Sequence, residues 1–294
     1  FFYKLKVNLC FLLTALLVSV NFYAQEIPPI QVFTSQDYGA EDQNWAIAQA
    51  ENNFIYVANN KGLLEYNGAS WTLYNSPNVG ILRSLRVVED KIYSGGYMDF
   101  GYWTKNNQGK LLYTSLIDDQ KFSVKEDEDF WGIINIEGYV LFQSFDRIYI
   151  YNTEEESFDI INSDSRINKM FKVGETIYFQ IINKGVFKIE NGVEAMVISA
   201  ETIADRELVN MFLTDSKLLL LTKENGFFIG TVANGIIHID KNGKELLRVN
   251  QSFGMSNNTV LSILEDSYGN IWLGLDNGIN VINLNSPYKV YTDK

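Results

Sequence analysis

Few side chains in this chain suit bond-making chemistry. His238 is the only histidine and Cys10 the only cysteine. His238 follows Ile236-Ile237 in an apolar run and reads as a packed or rim residue. That leaves no base for a Ser-His-Asp or Cys-His relay and no His-rich or Cys-rich metal site. Asp240-Lys241-Asn242-Gly243-Lys244-Glu245 opens like a calcium loop but lacks the length and the distal Glu of one, so it reads as a hairpin turn. Glu126–Asp129 and Glu154–Glu156 read as solvated acidic turns. The glycines end turns between strands and none opens a helix, so no phosphate loop is present. No catalytic residue, metal ligand or cofactor is assigned.

Binding chemistry remains. Five tryptophans could stack on the polarised C–H faces of sugar rings. Trp272 lies mid-strand and reads as core. Trp45, Trp71, Trp103 and Trp131 fall at strand ends or in loops, where a ligand platform competes with a core role. Tyr97-Met98-Asp99-Phe100 reads as a longer connection and adds Tyr97 and Phe100 as rim candidates. Six arginines (Arg83, Arg86, Arg147, Arg166, Arg206 and Arg248) could supply a sialidase-type cluster, but the Ser-x-Asp-x-Gly-x-Thr-Trp turn that accompanies it is absent.

The elements that must hold these residues are clearest between Val260 and Leu284. Three short apolar runs, Val260–Leu264, Ile271–Leu275 and Ile279–Leu284, are separated by the turns Asp266–Asn270 and Asp276-Asn277-Gly278. Asn-Gly between β-rich runs is a strong hairpin signal, because a type I′ turn needs positive φ at both central residues. Ile271, Leu273 and Leu275 share one parity and Trp272 the other, so both faces of this sheet need cover. The turn-plus-strand unit recurs at Gly62, Gly101, Arg147, Gly185, Gly226, Gly235 and Gly278, with spacings of 39, 46, 38, 41, 9 and 43 residues. A period of about 40 residues with three or four strands marks a β-propeller.

The chain therefore reads as all-β: a β-propeller, incomplete or open, with about six recognisable repeats and one pair fused. The spacing of nine implies that roughly 35 residues are missing at Gly226–Gly235 by the blade period; the plainer alternative is one distorted blade. Ile30–Thr34 reads as a lone outer strand and Pro287–Thr292 as the start of a further one. Leu208–Thr214, Lys217–Thr222 and Phe227–Ile229 read as the fifth blade, and Glu201–Val209 as at most one helical turn.

Residues 1–24 read as a secretory signal peptide, with Lys4 and Lys6 ahead of an apolar run, Leu9–Val20, too short to span a bilayer. Tyr23-Ala24-Gln25 supplies the cleavage point, and an uncleaved anchor is the alternative. The propeller occupies 25–294, and the first residue, Phe1, marks a missing start. Removal of the leader takes away Cys10, Lys4 and Lys6, leaving 22 basic and 36 acidic residues, a net charge of −14. That argues against nucleic acid or an anionic membrane surface as partner, and no second hydrophobic span occurs.

Asn258-Thr259-Val260-Leu261-Ser262-Ile263-Leu264-Glu265-Asp266, with Gly269-Asn270-Ile271-Trp272-Leu273-Gly274 and Asn277-Gly278-Ile279, resembles the two-component regulator propeller repeat. Asn44-Trp45-Ala46-Ile47-Ala48-Gln49 with Lys61-Gly62-Leu63-Leu64-Glu65-Tyr66 is similar to the first blade of the same proteins; the other repeats match only in period. The resemblance implies the exported, periplasmic or extracellular sensor of a bacterial receptor. In such receptors a tyrosine-rich β-sandwich, one membrane helix and a histidine-kinase or helix-turn-helix output follow, and many relatives sense oligosaccharides. An oligosaccharide ligand and a homodimeric full-length receptor are what it implies here, with no enzymatic activity. A polysaccharide glycosidase or lyase on the same fold, or a non-functional fragment truncated on its C-terminal side, are the competing readings.

Overall fold

A computed structural model describes residues 25–76, 80–118, 122–190, 192–201, 218–221, 227–240, 242–288 and 290–292. The expected signal peptide with Cys10, the strand Leu208–Thr214, the turn expected beyond Glu201 and the anchor Gly226 lie outside these residues.

Two short strands open the chain, β1 (Gln25–Ile27) and β2 (Ile30–Phe33). The first sheet is β3 (Asn44–Gln49), β4 (Ile55–Asn59), β5 (Gly62–Tyr66) and β6 (Trp71–Asn75). The second is β7 (Leu82–Val88), β8 (Lys91–Gly96), β9 (Phe100–Lys105) and β10 (Leu111–Ser115). The third is β11 (Gly132–Ile136), β12 (Tyr139–Gln143), β13 (Arg147–Asn152) and β14 (Ser157–Asn162). The fourth is β15 (Ile167–Val173), β16 (Thr176–Ile181), β17 (Gly185–Glu190) and β18 (Val193–Ser199). The fifth is β19 (Leu218–Leu221), β20 (Phe227–Gly230), β21 (Ile236–Ile239) and β22 (Glu245–Val249). The sixth combines β23 (Val260–Glu265), β24 (Asn270–Leu275) and β25 (Ile279–Asn283) with β2, which pairs antiparallel to β25 from Ile30↔Ile282 to Phe33↔Ile279. A last strand, β26 (Val290–Thr292), pairs with β1 in a separate ribbon.

Each sheet runs in simple antiparallel order. The first strands lie side by side at the hub: β23 beside β3, β3 beside β7, β7 beside β11, β11 beside β15, and β19 beside β23. Strand alternation explains the cores between them. On β4 every residue is buried, with Ile55 and Val57 facing the sixth blade and Tyr56 and Ala58 facing the second. On β24, Ile271, Leu273 and Leu275 join the fifth blade's Phe228 and Val249, while Trp272 joins the first blade's Val57 and Leu64. Tyr93, Phe100, Phe142 and Tyr149 fill the junction of the second and third sheets, and Leu141, Ile148 and Phe179 that of the third and fourth. Burying each such side chain contributes about 1.5–3 kcal/mol, and only stacking of neighbours removes both faces from water. Five junctions carry an apolar cluster; among the described residues no sixth cluster joins the fourth sheet to the fifth.

Three readings change. The nine-residue spacing is the hairpin of one sheet, because β20 and β21 pair directly from Phe227↔Ile239 to Gly230↔Ile236. Residues Leu218–Leu221 then serve as the first strand of the fifth sheet rather than its second, and no missing segment is needed. The C-terminal run Pro287–Thr292 does not start another outer strand, since β2 already fills that place in the sixth sheet. The loop before β3 holds a helical turn, Ser35–Tyr38, closed by Gly39 at φ 67°; the turn Gln251–Phe253 before β23 ends likewise at Gly254, φ 99°. Asp240 accepts from Asn242 N and Lys244 N, which makes its segment a hairpin turn.

Candidate functional site

The first strands carry bulges near their starts. Between Asn44 and Ala46 the extra residue is Trp45; between Leu82 and Ser84 it is Arg83; between Val260 and Ser262 it is Leu261. A bulge takes one residue off the ladder and re-aims its side chain. Trp45 and Arg83 therefore meet across two blades, and Trp131, one residue ahead of β11, joins them from a third.

The arrangement is a ladder of rings and cations. The Arg83 guanidinium lies 4.3 Å from the Trp45 ring centroid and 4.8 Å from that of Trp131. Trp131 stacks on Phe145, centroids 5.3 Å apart and planes 18° apart, and the Arg166 guanidinium covers Phe145 at 3.8 Å. In the other direction the Trp45 indole donates to Asn60 Oδ1 at 2.7 Å, Asn60 Nδ2 donates to Gln43 Oε1 at 2.9 Å, and Gln43 Nε2 donates to Asp276 Oδ1 at 2.6 Å. One continuous arc of side chains thus runs on one end of the molecule from the sixth blade through the first, second and third to the fourth.

Polar groups in this arc are left short of partners. Arg83 Nε lies 3.6 Å from Asp129 Oδ1, an ion pair too long for a hydrogen bond. Arg83 Nε, Asp129 Oδ1 and Trp131 Nε1 are all buried without a protein hydrogen-bond partner. Buried groups of this kind usually pair with protein or ordered water. Among the described residues no three His, Cys, Asp or Glu side chains are grouped to hold a metal.

The six expected ligand contacts divide. Trp45 and Trp131 are brought together, centroids 5.9 Å apart, and Tyr97 lies against the segment that holds the Arg83 partner Asp129. Tyr97 is 43% exposed, pairs with Asp129 as an isolated bridge and donates its hydroxyl to Asp127. The Asp127 carboxylate beside it raises the pKa of that phenol. Its connection is short, closed by Gly96 N donating to Asp99 O. Phe100 is fully buried against Phe142 at 4.3 Å and Phe130 at 4.6 Å, so it is core and not rim. Trp103 is mid-strand on β9, buried, with its indole donating to Ser94 Oγ at 2.8 Å. Trp71 packs into an aromatic cluster with Tyr66 at 4.7 Å and Phe33 at 5.3 Å, on the outer strand and away from the arc. Asn60 and Gln43 were not singled out from sequence, and Arg83 only as one of six arginines. Aligning Leu82-Arg83-Ser84-Leu85 on Val260-Leu261-Ser262-Ile263 would have placed Arg83 at the bulge.

Six four-stranded antiparallel sheets around a hub of first strands define a β-propeller. Residues 254–277 match the model of the two component regulator propeller family, so the sixth blade carries a repeat of that kind. No curated protein matches the chain in sequence. Among solved structures it is similar to the extracellular domain of a one component system of B. thetaiotaomicron, with TM-score 0.66 and 14% identity, covering 89% of this chain and 41% of that one. The chain thus spans less than half the length of that domain. It is also similar to a luciferin-regenerating enzyme (TM-score 0.58, 9% identity, 88% and 96% covered) and to a virginiamycin B lyase of Staphylococcus aureus (0.52, 14%, 90% and 87%). At these identities the likeness is one of fold.

Proposed function

We propose that this chain is the extracytoplasmic ligand-sensing propeller of a bacterial signal-transduction receptor, with its output outside the chain. The regulator-type repeat at residues 254–277 carries the reading. The likeness in fold to a bacterial extracellular domain and the leader-like character of residues 1–24 support it. No described helix is long and apolar enough to cross a membrane. The ligand is an oligosaccharide, and it docks on the end of the propeller that bears Trp45, Arg83 and Trp131, where aromatic rings of the first and third blades meet. Calorimetric titration of the purified protein with a panel of soluble oligosaccharides tests this. Saturable binding of at least one, recovered intact afterwards, is the expected result.

A second reading, a propeller enzyme that cleaves polysaccharide, draws on the enzymes that share the fold. New chain ends in the recovered panel, found by mass spectrometry, would replace the sensing reading with that one.

A further inference from the structure

The arc borders an open recess. Between the sixth and first blades a crevice is lined by Glu41, Asp42, Gln43, Asn60, Asn257 and Asp276. Its wall is pinned from beneath by two buried amides. Asn59 Nδ2 donates to Glu41 O at 2.6 Å and Gln43 O at 3.0 Å, and Asn44 Nδ2 donates to Asp42 O at 2.8 Å and Gly278 O at 3.0 Å. The backbone of Glu41–Gln43 is therefore fixed before any ligand arrives, and little ordering is left to oppose binding. The floor is the Asp276–Gln43–Asn60 relay, which ends on the Trp45 indole.

The lining decides the chemistry. It presents three carboxylates and several amides, and none of its residues is cationic. Ionised carboxylates only accept, whereas amides both donate and accept. A ligand here must bring donors to the carboxylates and acceptors to the amides. It must also carry no negative charge, which would face like charge with nothing to offset it. Adjacent hydroxyls on a ring meet all three conditions.

We infer that this crevice is a subsite for an uncharged, hydroxyl-rich ring, a neutral sugar unit, and that it excludes the corresponding uronate. The inference rests on the ligand-sensing reading and narrows it to a site and a charge class. The test titrates the protein with neutral xylo-, manno- and galacto-oligosaccharides and with oligogalacturonates, using wild type, Asp276→Asn, Asn257→Ala and, as a remote control, Glu155→Gln. Each crevice variant should weaken the neutral ligand by about tenfold, the loss of one hydrogen bond, while Glu155→Gln binds like wild type and all variants keep a cooperative thermal transition. Oligogalacturonates should bind at least about tenfold more weakly than their neutral counterpart. Equal binding by all variants, or tighter binding of the uronate, overturns the crevice assignment while sensing stands. Saturation by calcium chloride alone also overturns it. No binding of any oligosaccharide removes both.

Discussion

The guanidinium carbon of Arg83 sits 4.3 Å from the centroid of the Trp45 ring, although the two residues belong to first strands of different blades. Trp131 from the third blade flanks the same guanidinium. A single side chain therefore ties three blades at the hub. A cation–π contact is worth about 0.5–2 kcal/mol depending on desolvation, and Arg83 makes two of them while half-buried. Arg83→Ala should lower unfolding free energy by about 2 kcal/mol and shift tryptophan emission to the red. Arg83→Lys should recover less than half, because a compact ammonium cannot lie flat between two rings. Urea unfolding followed by fluorescence measures both, and a wild-type midpoint for the alanine variant would show that the ladder does not hold the blades.

Asp266 organises the turn inside the matched repeat. Its Oδ1 accepts from Tyr268 N at 2.9 Å and Asn270 N at 2.8 Å, and its Oδ2 from Asn270 Nδ2 and Trp272 Nε1, both at 2.9 Å. The carboxylate is buried, and so is the Trp272 ring. Asp266→Ala leaves the indole N–H buried with its acceptor gone and should cost about 3–4 kcal/mol. Asp266→Asn keeps an acceptor oxygen and should cost roughly half as much. Chemical denaturation of the two variants side by side checks the ratio.

Gly274 marks where the sixth blade touches the first. A Cβ there would collide with Ser262 Oγ and with the backbone oxygen of Asn44. Ser262 Oγ itself donates to that oxygen at 3.3 Å, so the seam is already closed. Gly274→Ala should destabilise by about 1–3 kcal/mol through overpacking. The double variant with Ser262→Ala should recover little, since Asn44 O is main chain and cannot turn away. A thermal midpoint restored to wild type by the second substitution would show that the serine alone limits the space.

These residues show what was legible in the chain and what was not. Asn277-Gly278 and the parity of Ile271, Trp272 and Leu273 announce a hairpin covered on both faces, because turn chemistry and alternation are local. The fifth sheet misleads because Phe227–Gly230 and Ile236–Ile239 are neighbouring strands of one blade, and only pairing partners tell a blade's second strand from its third. Trp103 and Phe100 misled differently: nothing local distinguishes an aromatic facing a neighbouring blade from one facing solvent. The arc from Asp276 to Arg166 spans residues far apart in sequence and exists only once the blades are stacked.

Tyr149 gives the fold an alkaline limit. Its hydroxyl donates to Glu128 Oε2 at 3.0 Å and accepts from the Arg147 guanidinium at 2.9 Å. Burial pushes the phenol up to about 12; the Arg147 hydrogen bond holds it down and the Glu128 carboxylate raises it further. Burial also raises Tyr56, Tyr93 and Tyr113. An unfolded tyrosine ionises near about 10. Below that pH both states hold the proton and stability does not depend on it. Above it the unfolded chain releases the proton first, so the folded state binds more protons and stability falls as pH rises. For Tyr149 the loss runs between about pH 10 and 12, with a limiting slope of about 1.4 kcal/mol per pH unit. Urea midpoints should hold through neutral pH and drop steeply across that window. Tyr149→Phe should be less stable at neutral pH, since Glu128 and Arg147 lose a partner, yet fall less steeply above pH 10. Parallel curves for the variant and wild type would mean that the phenol ionises freely in the folded protein and that its burial has no part in the alkaline limit.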